Sequence, residues 1–272
     1  MPLQPRHKTV LITGAAGGLG AATAKAFAAR GWHVFAADIT APTADSPNST
    51  PIAIDVTDSD SCAAAAHEIG AHTAGLGAVI NFAGLLDLGP MMEVSEERLE
   101  RILAVNVVGT HRVNRAMFSL IRAGGGRIVN ISSAAGRFRA GPTSGPYAAS
   151  KHAVEAYSDA LRQELMFVDV PVIVIEPGSF RSPMSQSITA KLGASAPPGS
   201  PFVPLVAFVA KMAGKDEKNA RDPGVLADAV FRAVTSERPR PRYLVNGGSL
   251  QNWAVEVLPR TIVDRIIKAS VR

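Results

Sequence analysis

The sequence predicts an α/β fold, a doubly wound parallel sheet of about seven strands with helices on both faces. Three observations predict it. Apolar blocks rich in β-branched residues, such as Val10-Leu11-Ile12 and Val172-Ile173-Val174-Ile175, read as strands buried on both faces, which parallel sheets require. These blocks alternate with long stretches of helical pattern. The first of them runs directly into a glycine-rich turn and then a helix.

In chain order, strands are expected at 9–13, 33–38, 51–54, 78–82, 127–132, 172–176 and 243–246. Helices are expected over 19–30, 58–73, 95–123, 147–168 and 224–236, the first closed by Gly31 as a C-cap. Residues 41–50, rich in Pro, Ser, Thr and Asp, read as a surface loop. A longer insertion, 182–223, carries six prolines and the apolar residues Met184, Ile188, Leu192, Phe202, Leu205, Val206, Phe208, Val209 and Met212. At the ligand edge of such a sheet it reads either as a substrate lid or as a packed helical hairpin. One domain over residues 1–272 is expected, with this insertion and a basic tail at 247–272.

Composition narrows the function. An apolar fraction of 47% and a charged fraction of 19% belong to a folded globular chain. Cys62 is the lone cysteine, which excludes an internal disulfide and points to a reducing, cytoplasmic setting. No secretory leader or membrane span is read, since Arg6, His7 and Lys8 lead straight into a strand. The net charge of +5 is concentrated late, at Arg238, Arg240, Arg242, Arg260, Arg265, Lys268 and Arg272. That distribution reads as a solvated face beside a site for an anionic cofactor, not as a nucleic-acid surface. The six histidines form no cluster, so no metal is expected. Ile262, Val263, Ile266, Ile267 and Val271 share one helical face flanked by basic residues. That face is expected to dock on its own domain, with peripheral contact to an anionic membrane as the alternative.

The turn Thr13-Gly14-Ala15-Ala16-Gly17-Gly18-Leu19-Gly20 lies between a buried strand and a helix. Glycines permit the tight turn and the close approach of a pyrophosphate, which the helix N-terminus then attracts. This is the dinucleotide site of a Rossmann-type sheet. Asp38, ending the second strand, is placed to accept hydrogen bonds from the adenosine ribose and to repel a 2′-phosphate. With no cation in Ala15-Ala16-Gly17 or at Ile39, NAD is expected over NADP.

Tyr147 and Lys151 stand four residues apart at the start of a helix, on one face. A nearby ammonium and a positive nicotinamide favour phenolate, so the tyrosine can act as an acid/base. The hydroxyls of Ile131-Ser132-Ser133 end a strand on the same sheet edge.

With Asp55-Val56, Asn81-Phe82-Ala83-Gly84, Asn106, Tyr147-Ala148-Ala149-Ser150-Lys151 and Pro177-Gly178 in this order, the chain resembles the short-chain dehydrogenase/reductase family over nearly its whole length. The resemblance implies that Ser133 polarises the substrate oxygen, Tyr147 is the acid/base, Lys151 binds the nicotinamide ribose, and Asn106 holds a relay water. It assigns Ser133 rather than Ser132, because the family's serine lies three residues before a glycine, here Gly136. It also implies cofactor contacts at Gly14, Ala16, Gly17, Gly18, Leu19, Gly20, Asp38, Ile39, Asp55, Val56, Asn81, Ala83, Gly84, Tyr147, Lys151, Pro177, Gly178, Phe180 and Ser182. Phe82 departs from the asparagine common at its position, and Ser182 from a threonine. The loop 134–146 looks slightly longer than usual.

The glycine spacing fits both the short form (Gly14, Gly18, Gly20) and the extended, sugar-nucleotide branch (Gly14, Gly17, Gly20). Chain length and Pro177-Gly178 favour the short form. Within it, 150–159 and 175–181 are similar to retinol and hydroxysteroid dehydrogenases, which implies a bulky apolar alcohol or its ketone as substrate. A homodimer or homotetramer through helices 95–123 and 147–168 is implied likewise, with Ala153, Ala156 and Ala160 allowing close packing. A sugar-nucleotide epimerase or dehydratase, and a non-catalytic NAD-binding regulator, are the alternatives.

Overall fold

The structure is a computed structural model describing residues 4–43, 46–186, 188–193, 195–247 and 250–271. The chain runs β1 (Thr9–Thr13), α1 (Gly18–Ala28), β2 (His33–Asp38), β3 (Ser49–Ala53), α2 (Ser59–His72) and β4 (Ala78–Asn81). It continues as α3 (Glu96–Leu103), a π-helical segment (Ala104–Gly109), α4 (Thr110–Gly124), β5 (Arg127–Ile131), α5 (Ala134–Arg137), α6 (Gly145–Leu165) and β6 (Val172–Pro177). The insertion carries α7 (Pro183–Gln186), α8 (Ile188–Gly193) and α9 (Val203–Lys218). Then come α10 (Pro223–Thr235), β7 (Arg242–Val245), α11 (Leu250–Val257) and α12 (Arg260–Val271).

All seven strands join one parallel sheet in the order β3-β2-β1-β4-β5-β6-β7. The winding direction reverses between β1 and β4, and ligands bind outside the strand ends at such a point. Alternation along each strand splits the core. Val10, Ile12, Val34, Ile80 and Ile173 pack with Phe27, Leu226 and Val230. Leu11, Phe35, Val79, Ile128 and Val172 face the opposite way, with Ile69, Met117 and Ile121. Gly31 reverses the chain after α1 at φ +75°, and the Trp32 N–H closes the turn on the Phe27 carbonyl.

Two expectations change. The third strand begins at Ser49, inside the segment read as a loop, because β2 carries it in parallel register from Val34. The helix expected over 95–123 is not uniform. Its middle turn widens to π geometry, a feature frequent at functional sites.

The insertion leaves and rejoins the sheet at one narrow neck. Phe180 and Arg221 form a β-bridge, the Arg181 N–H donates to the Arg221 carbonyl, and Arg181 pairs with Asp222 at 3.0 Å. In the tail, α12 contacts α9, and Val263, Ile267 and Val271 are half-buried while Ile262 and Ile266 stay 41% and 54% exposed. The docking expected of this helix is therefore divided between two faces. Arg139 fastens the tail by donating to the Leu258 carbonyl at 2.7 Å and the Glu256 carbonyl at 2.6 Å. The Phe138 ring meets Trp253 edge-on. Among the described residues, no helix is long and apolar enough to cross a membrane.

Candidate active site

A cavity of about 1490 Å³ opens beyond the C-terminal ends of the strands. It exceeds the ~300–1,000 Å³ that suits one drug-sized ligand, so two ligands can lie end to end. One end is walled by the glycine turn. Gly14 has φ +68°, and a Cβ there would stand 2.7 Å from the Ala83 nitrogen. A Cβ on Gly20 would collide with the Gly14 carbonyl, and one on Gly18 would come within 2.9 Å of Pro183. Gly17 meets only the Gly14 carbonyl, at 3.4 Å. Packing thus demands glycine at 14, 18 and 20, the short-form spacing, and leaves Gly17 facing the cavity.

Asp38 closes this end. Its carboxylate accepts from the Ala16 N–H at 3.0 Å and the Ile39 N–H at 2.8 Å, tying β2 to the glycine turn. Asp55 accepts from the Thr57 amide and hydroxyl, which together hold its carboxyl below the usual range. These residues fit a dinucleotide: a backbone cradle without side chains, carboxylate lone pairs at the ribose position, and an apolar wall from Val56 and Ile54.

Ser133, Tyr147 and Lys151 line the same cavity. Strand alternation separates the two serines. The Ser132 hydroxyl is buried and donates to the Lys151 carbonyl. The Ser133 hydroxyl instead caps α5, accepting from the Ala135 N–H at 3.1 Å, and it lowers the pKa of the nearby Tyr147 phenol. The Lys151 Nζ lies 5.8 Å from the Tyr147 ring centre and donates to the Ile131 carbonyl at 2.9 Å. Burial pushes the phenol above its usual pKa, partly offset by Ser133. Burial also brings the Lys151 ammonium down to about 8, against Glu155, which raises it. Among the protein's own groups, desolvation thus outweighs the phenolate-favouring influence expected of the lysine.

Of the residues expected at the cofactor, Gly14, Gly17, Gly18, Leu19, Gly20, Asp38, Ile39, Asp55, Val56, Ala83, Gly84, Tyr147, Lys151, Pro177, Gly178, Phe180 and Ser182 line the cavity. Ala16, Asn81 and Asn106 stand off the wall. Asn81 turns into a buried network, donating to Asn114 at 2.8 Å and Asn130 at 2.9 Å. Asn106, in the π segment, accepts from the Leu85 N–H at 2.7 Å and donates to the Leu85 carbonyl and the Ser150 hydroxyl. It therefore fixes the loop after β4 against α6.

Sequence reading missed several residues here. Leu85, Leu86, Leu88, Pro142 and Ala213 join Met184, Ile188, Leu192, Val209 and Met212 on the cavity wall. Thr143 lines it too, with φ +64°, a conformation costing a non-glycine residue about 1–3 kcal/mol. Its carbonyl accepts from the Gly89 N–H at 2.8 Å, which links the two loops. Behind Ser133 lies a charged cluster. Fully buried Glu176 meets Arg137 at 3.2 Å and Arg242 at 3.4 Å, and Arg242 reaches Glu155 and Asp159. A charged residue within an apolar strand run was its only sequence signal.

Comparison with known proteins agrees with this geometry. The family model described as short chain dehydrogenase matches residues 8–193. The chain is 33% identical over 266 residues to the uncharacterized oxidoreductase YbbO of Escherichia coli, covering 96% of this chain and 93% of that protein. It is 32% identical to human retinol dehydrogenase 16, covering 96% and 88%. It is 30% identical to the NADPH-dependent 3-dehydrocapnine reductase of Ornithobacterium rhinotracheale, covering 96% of each. Among solved structures, a short-chain dehydrogenase from Streptomyces avermitilis superposes with a TM-score of 0.77 at 24% identity, covering 96% of this chain and 94% of that one. One from Burkholderia cenocepacia, in complex with NADP, gives 0.74 at 25% identity, covering 98% and 99%. A short chain dehydrogenase model matched over residues 8–193, with relatives 30–33% identical over most of their length, shows that the chain belongs to the short-chain dehydrogenase family of oxidoreductases.

Proposed function

We propose that the protein interconverts a bulky apolar secondary alcohol and its ketone, with NAD as hydride carrier. The observation that carries this reading is that Ser133, Tyr147 and Lys151 line the same cavity as the glycine turn, with the Lys151 Nζ 5.8 Å from the Tyr147 ring centre. A bound nicotinamide supplies the hydride acceptor in oxidation and the donor in reduction. The protein handles the oxygen and its proton. Ser133 donates a hydrogen bond to the substrate oxygen and Tyr147 exchanges the proton with it, while Lys151 adds positive charge behind the phenol. Asn106 acts at one remove, by holding the Leu85 backbone and Ser150.

NAD preference rests on Asp38. A 2′-phosphate would meet its carboxylate, and neither Ala16 nor Ile39 offers compensating charge. One matched relative is named for NADPH and one matched structure holds NADP, so members of the family take the phosphorylated cofactor. Calorimetric titration of NAD and NADP tests the preference, and tighter binding of NADP would overturn it.

The apolar substrate rests on Leu85, Leu88, Ile188, Leu192, Val209 and Met212, apolar side chains that line the cavity. Residues 182–223 then act as a lid. Turnover of decalin-2-ol should exceed that of glycerol-sized alcohols in kcat/KM, and the reverse order would sink the reading. A homo-oligomer through α4 and α6 completes the proposal, since Ala156 and Ala160 are exposed on α6 and Val108 lies exposed just before α4. Light scattering giving a strict monomer at micromolar concentration would refute it.

A further inference from the structure

Helix α5 is a single turn, too short to hold its own direction. Its orientation comes from its ends and from what it packs against. At its start stands Ser133, whose hydroxyl accepts from the Ala135 N–H. In its middle, Gly136 approaches α6 so closely that a Cβ would lie 2.8 Å from the Lys151 backbone. At its end, Arg137 Nη1 donates to both oxygens of Glu176, at 3.2 Å each.

Glu176 is fully buried, and its position in the sheet brings it beside the reacting wall. The Ser132 N–H donates to the Ile175 carbonyl, and Pro177 and Gly178 line the cavity. Arg242 supports the carboxylate at 3.4 Å and is itself held by Glu155 at 3.0 Å and Asp159 at 2.7 Å. A buried ion pair of this kind is a poor source of stability, because apolar side chains of equal volume often serve as well. What it supplies is direction, since charge-assisted hydrogen bonds from one guanidinium nitrogen to both carboxylate oxygens hold the two side chains together.

We propose that Glu176 is a positioning residue for the reaction, aiming Ser133 at the substrate oxygen by anchoring Arg137 at the far end of α5. This rests on the reading that Ser133 and Tyr147 carry the chemistry. Misplacing a substrate-orienting group by about 1 Å costs roughly a hundredfold in rate, so the device has something to protect.

The test uses Glu176→Gln and, from the other side of the pair, Arg137→Met, which removes a partly exposed cation. Hydrogen exchange of the full chain needs no substrate. Peptides spanning 133–139 should exchange about tenfold faster in both variants, while those spanning 14–20 stay within about twofold of wild type. With decalin-2-ol and NAD, kcat should fall about 10- to 100-fold with the Kd for NAD within about threefold. A role in stability alone would lower Tm and leave kcat unchanged well below it. Exchange across 133–139 within about twofold of wild type, or an unchanged kcat in a folded variant, overturns the proposal. If Glu176→Gln fails to fold, Arg137→Met is read on the same terms. Tyr147→Phe separates the two claims: a dead Tyr147→Phe beside a fully active Glu176→Gln removes the positioning role alone, whereas an active Tyr147→Phe removes the site reading.

Discussion

The two halves of the cavity are built by opposite means. Around the glycine turn the wall is backbone, brought into contact by the absence of side chains at 14, 18 and 20 and tied by Asp38 to two N–H groups. Around the insertion the wall is side chain: leucines, methionines and valines on helices joined to the sheet at one neck. A backbone wall tolerates little change and suits a ligand that does not vary. A side-chain wall changes with each substitution and suits a ligand that differs between relatives.

The sharpest way to break this comparison lies at the border of the halves. Tyr147→Phe should lower kcat by about 10²–10⁴ while NAD affinity stays within a few fold, because one hydroxyl leaves the reacting oxygen and the backbone wall is untouched. Stopped-flow turnover and cofactor titration together check this, and a comparable loss of NAD binding would show that the halves are not separable there.

In the backbone half, Asp38→Arg should move the NADP-to-NAD affinity ratio by about 10- to 100-fold. The change removes repulsion and adds charge-assisted hydrogen bonds of about 1.5–3 kcal/mol. It also releases the Ala16 and Ile39 N–H groups, so NAD should bind more weakly in the same calorimetric series.

In the side-chain half, each further methylene on an alicyclic alcohol should raise kcat/KM about fourfold, from about 0.8 kcal/mol of burial. Met212→Ser should flatten that slope without altering NAD affinity. An unchanged slope would place the apolar part of the substrate elsewhere.

The smallest effect concerns pH. In ketone reduction the Tyr147 phenol must carry its proton, and burial keeps it protonated beyond its usual range. The Lys151 ammonium, held to about 8, deprotonates first. The reductive rate should therefore fall as pH rises through about 8. Glu155 raises the lysine pKa, so Glu155→Gln should move this limb to lower pH. A limb that stays in place would remove Glu155 from the balance.

The contrast also explains what could be read from the chain. β1 and β2 coincide with their sequence limits because continuous apolar runs bounded by polar residues leave one register. The glycine turn was legible because its constraint is local: side-chain volume at fixed spacing. Strand alternation puts Ser132 and Ser133 on opposite sides, and the spacing to Gly136 in the family resemblance selects Ser133. The left-handed Thr143 and the π turn at 104–109 were not legible. Each depends on contacts between distant segments, such as Gly89 with Thr143, or Asn106 with Leu85 and Ser150. The cluster around Glu176 unites α5, α6, β6 and β7, and the sequence offered only an acid in an apolar strand.

The neck of the insertion has a consequence for how such proteins diversify. Arg181 and Asp222 are 41 positions apart yet paired, so the chain between them leaves from and returns to one place. Closing a longer excursion adds little cost, about 0.6 kcal/mol for each doubling of its length. The segment can be exchanged, lengthened or shortened as an interchangeable part while the sheet and the glycine turn keep their register. A grafted segment from a relative, joined at Phe180 and Arg221, would then carry its donor's choice of alcohol onto this cofactor site.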